Sequence, residues 1–311
     1  MDENLIYRFR SLANGKAKRE IDALKNKTLW FSDPESLNDC QEFMVNLNYD
    51  CTSTTRNELW KDAILRCSSI KSSEEQVEEM SKTGRLNSII RNQFVSVIDH
   101  YTPLIRTCSF SISNCSEGIK NPINNAMMWG HYTNALEGCA LGFDKDILEK
   151  HFKSLYANYA NAKVDYIRSD SKLPTIESAE LSVPGNYENE FFRPLLLKKS
   201  DDWEYEQEYR LILAPPLKDK KPDANSVINT LTYTDNALKR IVIGSKLKID
   251  ILFELHKILP SQVEFFIAHR SNTHYRIDIK PFDRQQLNKL CSARLFTRSA
   301  RIGTIRRFLD Y

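Results

Sequence analysis

The sequence predicts an α+β fold: a mixed, mostly antiparallel sheet with a helical insert and a basic C-terminal helix. Three observations lead there. Segments of apolar–polar alternation recur along the 311 residues, but the helical segments between them lack the regular βαβ rhythm of a doubly wound parallel sheet. The block of about residues 55–101 is helical throughout. From Pro281 to Tyr311 the basic residues Arg284, Lys289, Arg294, Arg298, Arg301, Arg306 and Arg307 face only Asp283 and Asp310. We read 1–282 as a single α+β domain and 283–311 as a basic helical extension.

The elements follow in order. Leu5 to Phe9 alternates as a half-buried strand, and Lys16 to Asn26 places Ala17, Ile21 and Leu24 on one helical face. Thr28 to Ser32 is a second strand, stopped by the turn pair Asp33-Pro34, and Ser36 to Asp39 continues as a polar loop. In the insert, Leu59, Trp60, Ile64 and Leu65 form one stripe and Ile89, Ile90, Phe94, Val97 and Ile98 another. Two or three helices result, a packing layer or a lid. Ile105 to Ser111 is a strand, Asn114 to Asn125 a loop, Ala126 to Asn134 a short helix and Gly138 to Phe143 a strand of small residues. Asp146 to Tyr156 is helical and Val164 to Tyr166 strand-like. Ser169 to Pro184 is a polar connection, and Phe191 to Lys199 is a helix with Pro194 in its first turn. Glu208 to Leu213 and Leu238 to Ile243 are strands, Ile249 to Leu259 is a helix, and Val263 to Ile267 with Tyr275 to Ile279 forms a closing hairpin.

Composition narrows the function. Hydrophobic residues at 41% and charged residues at 27% suit a globular protein, and no apolar run approaches the roughly 20 residues of a membrane helix. The opening Met1-Asp2-Glu3-Asn4 does not have the layout of a secretory signal. Seven scattered cysteines form no C-x-x-C pair and read as reduced thiols. The expectation is a cytoplasmic protein without a metal centre. No G-x-G-x-x-G, P-loop, H-E-x-x-H or G-x-S-x-G pattern occurs, and the six histidines show no ligand spacing.

Two aromatic–polar clusters remain. In Met128-Trp129-Gly130-His131-Tyr132, Trp129 and Tyr132 lie three apart on one helical face, suited to stacking on a flat ring, although Trp129 equally suits ordinary core. In Trp203-Glu204-Tyr205-Glu206-Gln207-Glu208-Tyr209-Arg210, strand alternation puts Glu206, Glu208 and Arg210 on one face. There Arg210 would hold a glutamate ionised, and a carboxylate would act as base or as partner to a cationic transition state. The alternative is a salt-bridge ladder at a strand end. Arg8 and Arg10 share a face fit to bridge a phosphate or carboxylate. Ser32, Asn38 and Asp39 follow a strand, where loop polar groups meet ligands.

These blocks carry a resemblance. Tyr7-Arg8-Phe9-Arg10, Leu29 to Pro34 with Leu37-Asn38-Asp39, Met128 to Tyr132, Gly142-Phe143-Asp144, Val164 to Tyr166, Lys199, Trp203 to Arg210 and Ile241 to Gly244 resemble, in order, a bacterial family catalogued as domain of unknown function 2971. The family continues Asn-Asp with Pro-Phe-Glu, whereas this chain runs on from Asn38-Asp39 to Cys40-Gln41-Glu42-Phe43. The order of elements is also similar to ADP-ribosyltransferase folds. That similarity implies NAD as cosubstrate: Arg8 on its phosphates or ribose, Ser32 ordering the site, Tyr132 or Trp129 stacking on nicotinamide, and Glu208 assisting nicotinamide departure. The expected catalytic set is Glu208, Tyr132 and Arg210, and the expected cofactor-binding set is Arg8, Ser32, Trp129 and Asn38, in a toxin or anti-phage effector. Two rivals stand beside it. One is a non-catalytic module binding nucleic acid or an acidic partner through the basic tail. The other is a magnesium-dependent nuclease using Asp39, Glu206 and Glu208.

Overall fold

The computed structural model describes residues 4–39, 41–48, 54–66, 73–112, 121–156, 159–177, 193–214, 217–218, 221–222 and 227–285. The basic extension lies outside them from residue 286 onward, as do 114–120 of the predicted loop, 178–184 of the predicted connection and 191–192 of the predicted helix.

An eight-stranded sheet organises the chain. In sequence order its strands are β1 (Leu5–Ser11), β2 (Arg106–Ile112), β3 (Gly138–Asp144), β4 (Tyr159–Lys163), β5 (Glu208–Leu213), β6 (Leu238–Gly244), β7 (Glu264–Arg270) and β8 (Ile277–Pro281). Across the sheet they run β8-β7-β6-β3-β1-β2-β5-β4. Every pair is antiparallel except β6 with β7, which the helix Ile249–Ile258 joins as the crossover that a parallel pair needs. The fold is therefore α+β with a mixed, mostly antiparallel sheet, as predicted.

Alternation along the strands builds two apolar faces. One buries Ile6, Phe110, Leu141, Phe143, Leu211 and Ile243 beneath α1 (Ala17–Lys25), the helix Lys145–Leu155 and the crossover helix. The opposite face carries Leu5, Tyr7, Phe9, Ala140 and Val242 against the helix Ala126–Thr133. The insert forms three helices, Thr54–Arg66, Glu74–Lys82 and Arg85–Tyr101. Trp60, Ile64, Val77, Leu86 and Ile90 make a satellite core with Leu195, Leu196, Leu197 and Ile212. It is a packing layer; Leu65, placed in its stripe by spacing alone, is 41% exposed.

Strands escaped sequence reading where they are polar or short. Tyr159–Lys163 closes one sheet edge with a largely exposed Tyr-Ala-Asn-Ala-Lys run. Lys198–Ser200, read as a helix end, pairs in parallel with Asp165–Ile167. Backbone pairing with a neighbour, rather than side-chain pattern, made these strands.

One irregularity positions the site. β1 pairs with β3 over seven residues, but with β2 only at Ile6↔Ile112 and Tyr7↔Ser111. Beyond Tyr7 the two strands part. The chain leaving the short strand Thr28–Trp30 enters the gap, and Ser32 exchanges backbone hydrogen bonds with Thr107, each at 2.8 Å. The central sheet is thus split between β1 and β2.

Candidate functional site

A cleft of about 440 Å³ opens along this split, within the range of small-molecule sites. Of the seven predicted residues, Arg8, Ser32, Asn38, Tyr132 and Glu208 line it. Trp129 and Arg210 do not.

Trp129 is 1% exposed. Its indole N–H donates to the Ile123 carbonyl at 2.8 Å, and its ring meets Phe9 edge-to-face. Its partners are satisfied inside the core, so it is not placed to stack on a ligand in the cleft. Arg210, wholly buried, lies behind Glu208 and acts on it through paired hydrogen bonds.

One end of the cleft is acidic. Lys199 Nζ lies 2.8 Å from Glu206 Oε2, 3.1 Å from Glu208 Oε2 and 3.4 Å from Glu42 Oε1. Arg210 donates Nε to Glu208 Oε1 at 2.7 Å, Nη2 to Glu208 Oε2 at 3.0 Å and to Glu42 Oε1 at 2.5 Å, and Nη1 to the Leu196 carbonyl at 2.7 Å. All five side chains are at most 6% exposed. The Lys199 ammonium also sits 4.8 Å from the Trp203 ring centre. The predicted salt-bridge ladder exists, but it is buried.

Local structure explains the convergence. Glu208 and Arg210 share a face of β5, and the register sets Glu208 beside Ser111 and Arg210 beside Ser109. Glu206 ends the 3₁₀ turn Asp201–Glu206, and Gln207 adopts a left-handed conformation with φ 45°. Strand alternation therefore does not govern Glu206; the turn brings it back to Lys199. Glu42 comes from the turn after Asp39. There the Asp39 carboxylate accepts from the Gln41 N–H at 2.9 Å, and Phe43 has φ 62°. Glu42 reaches the network from this turn, in the stretch where the chain departs from the Pro-Phe-Glu continuation.

The two cleft glutamates are driven apart. Burial alone would raise Glu208, but the charges of Arg210 and Lys199 more than offset it and hold the carboxyl down to about 2. Burial, opposed by Lys199 and reinforced by the charge of Glu208, pushes Glu206 up. The Tyr132 hydroxyl donates to Glu206 Oε1 and also hydrogen-bonds the Asn38 side chain; burial and the Glu206 charge push the phenol up, so it remains a donor. Such a split pair has the form of an anion beside a proton carrier. His131 joins the wall, its Nδ1 2.9 Å from the Tyr205 hydroxyl.

The helix that carries Tyr132 is fixed at both ends. Asn125 caps it by accepting from the Met127 N–H at 2.9 Å. After Thr133, three successive non-glycine residues turn left-handed: Asn134 (φ 54°), Ala135 (φ 55°) and Leu136 (φ 75°). Gly244 lies against the last of these, where a Cβ would come 2.2 Å from the Leu136 carbonyl oxygen.

The other end of the cleft is basic. Arg8, Arg10, Lys16 and Arg19 line it against the single carboxylate of Glu20. Arg10 grips Glu20 with two bonds of 2.7 and 2.6 Å, and Arg19 adds bonds of 3.1 and 2.9 Å. Arg8 instead donates to Cys108 Sγ at 2.5 Å and to the Trp30 carbonyl at 2.8 Å, and burial lowers its proton affinity. Arg8 and Arg10 share a face as predicted, but Glu20 already occupies Arg10.

Among the described residues, two buried side-chain atoms of residues that line the cleft, Glu42 Oε2 and Thr107 Oγ1, have no hydrogen-bond partner. Buried groups of this kind are rare without a ligand or water to meet them. Among the described residues no group of three or more His, Cys, Asp or Glu is arranged to hold a metal ion. Lys199 occupies the space between Glu206 and Glu208, and Asp39 is engaged with Gln41. No described helix is long and apolar enough to cross a membrane.

No curated protein and no solved structure matches the chain. Residues 128–211 match the family described as protein of unknown function (DUF2971), a segment that contains Tyr132, Lys199, Glu206, Glu208 and Arg210 but neither Arg8 nor Ser32. Over 128–211, then, the chain is similar to the DUF2971 family, the resemblance that the ordered blocks implied.

Proposed function

We propose that the protein is an ADP-ribosyltransferase-like enzyme that uses NAD. The supporting observation is the two-ended charge of one cleft that Arg8, Ser32, Asn38, Tyr132 and Glu208 share. NAD carries an anionic pyrophosphate and a cationic pyridinium. The arginine end suits the first, and the carboxylate end suits the second. Glu208 neighbours Ser111, and Ser111 neighbours Tyr7, next to Arg8. Two strand spacings separate the ends, about 10 Å.

In this reading the bond between the ribose C1′ and the nicotinamide nitrogen breaks, and its electron pair leaves with the ring, which becomes neutral. Positive charge develops on the ribose. Glu208, ionised throughout the neutral range, faces that charge. Arg210 and Lys199 hold the carboxylate in place. An acceptor nucleophile then bonds to C1′ and gives up a proton, and Glu206, with its raised proton affinity, receives it. Tyr132 orients Glu206 through its hydroxyl. The cellular role that accompanies the reading is that of a toxin or defence effector.

The test is incubation of the full chain with labelled NAD and cell lysate. Release of nicotinamide with transfer of label, lost at least a hundredfold in Glu208→Gln, is the expected outcome. Wild-type protein that neither releases nicotinamide nor transfers label removes the proposal. A Glu208→Ala variant that keeps the cellular phenotype and salt-sensitive nucleic-acid binding favours the binding-module rival instead.

A further inference from the structure

We infer that a second hollow, on the far side of the basic neck, receives the adenine end of the dinucleotide; this rests on the reading above and extends it to a base-binding subsite. The hollow measures about 410 Å³ and shares Arg8, Arg10, Arg19 and Glu20 with the main cleft, so the two meet at the arginines. Its remaining character differs. Leu24, Leu29, Leu141 and Tyr233 give it apolar walls, and the ribbon that pairs Trp30 with Thr230 forms one side.

Trp30 is the informative residue. It is 51% exposed, an indole left in water at the mouth of an apolar hollow. Its carbonyl accepts from Arg8, so the backbone that carries the ring is tied to the guanidinium. A flat heterocycle joined to a pyrophosphate matches that sequence of surfaces: phosphates at the arginine neck, ring in the apolar lobe, polar contact from Thr230. Stacking of a base on an aromatic side chain is sequence-tolerant and strong enough to read by alanine substitution. The main cleft then keeps the pyridinium end, and the ligand passes through the split between β1 and β2.

The experiment compares two probes on the full chain by calorimetry. ADP-ribose contains adenine and pyrophosphate without nicotinamide; nicotinamide mononucleotide contains the other half. Trp30→Ala removes the ring but keeps the main-chain carbonyl that Arg8 uses, and its exposure means that the fold survives, as a thermal melt verifies. The expected result is binding of both probes to wild type, with ADP-ribose at least tenfold weaker in Trp30→Ala and nicotinamide mononucleotide unchanged. If both probes bind and the variant alters neither, or weakens both alike, the subsite is overturned while the proposed activity stands. If neither probe binds wild type, the subsite and the NAD reading fall together.

Discussion

The two ends of the cleft hold ions in opposite ways. At the acidic end Glu42, Lys199, Glu206, Glu208 and Arg210 interlock with little exposure to water. At the basic end Arg10, Arg19 and Glu20 form an equally bonded cluster, but Arg10 remains 26% exposed and Arg19 69% exposed. Short distances therefore do not distinguish the ends; solvent does. Buried charges interact strongly and cost much to leave unmatched, whereas an arginine that reaches water is screened and gives up its partner at lower cost, even though Glu20 itself is buried. The first arrangement sets a permanent electrostatic environment. The second leaves guanidinium groups available to exchange a carboxylate for another anion.

The comparison is most sharply tested by matched truncations. Arg210→Met leaves the buried Glu208 and Glu42 with Lys199 alone and is expected to cost about 3–5 kcal/mol of unfolding free energy. Arg10→Met leaves the buried Glu20 to the exposed Arg19 and is expected to cost less, about 1–3 kcal/mol. Urea denaturation of both reads the contrast, and equal losses would erase the distinction. The next effect appears on acidification. The folded Glu208 carboxyl is depressed from 4.5 to about 2, so its contribution is fully present above pH 4.5 and drains away as pH falls toward 2. That contribution is of the order of 3 kcal/mol. Glu208→Gln is predicted to flatten the stability profile in that window; parallel profiles for variant and wild type would show that the ion pairs do not stabilise the fold. The smallest effect is at the basic end. Glu20→Ala releases Arg10 and Arg19, and inorganic pyrophosphate is expected to bind roughly threefold tighter, with the gain shrinking as salt rises. No change in affinity would mean that Glu20 does not compete for the arginines.

Much of the fold was legible because strands and helices with a buried face write that face into the sequence. Glu208 and Arg210 were placed correctly together for the same reason. The site was less legible where its geometry depends on the path of the chain. Glu206 arrives through a left-handed turn at Gln207 that alternation does not anticipate. Glu42 stands 168 residues from Arg210 in the chain, and no local pattern pointed to it. Lys199 marked a family block but carried no local signal that it would join three carboxylates. Trp129 misled in the opposite sense: its aromatic character drew attention, yet the Ile123 carbonyl satisfies its N–H inside the core. The split of the sheet was hidden too, because Arg8 to Arg10 reads as a continuous strand and only the β1–β2 register shows where pairing ends.

The left-handed run from Asn134 to Leu136 has a cost that falls on evolution as well as folding. Each such residue with a side chain stores on the order of 1 kcal/mol of backbone energy, and glycine would relieve it at once. A sequence that declines that relief three times in succession keeps the exit from its helix stiff, and with it the spot at which a phenol can touch Glu206.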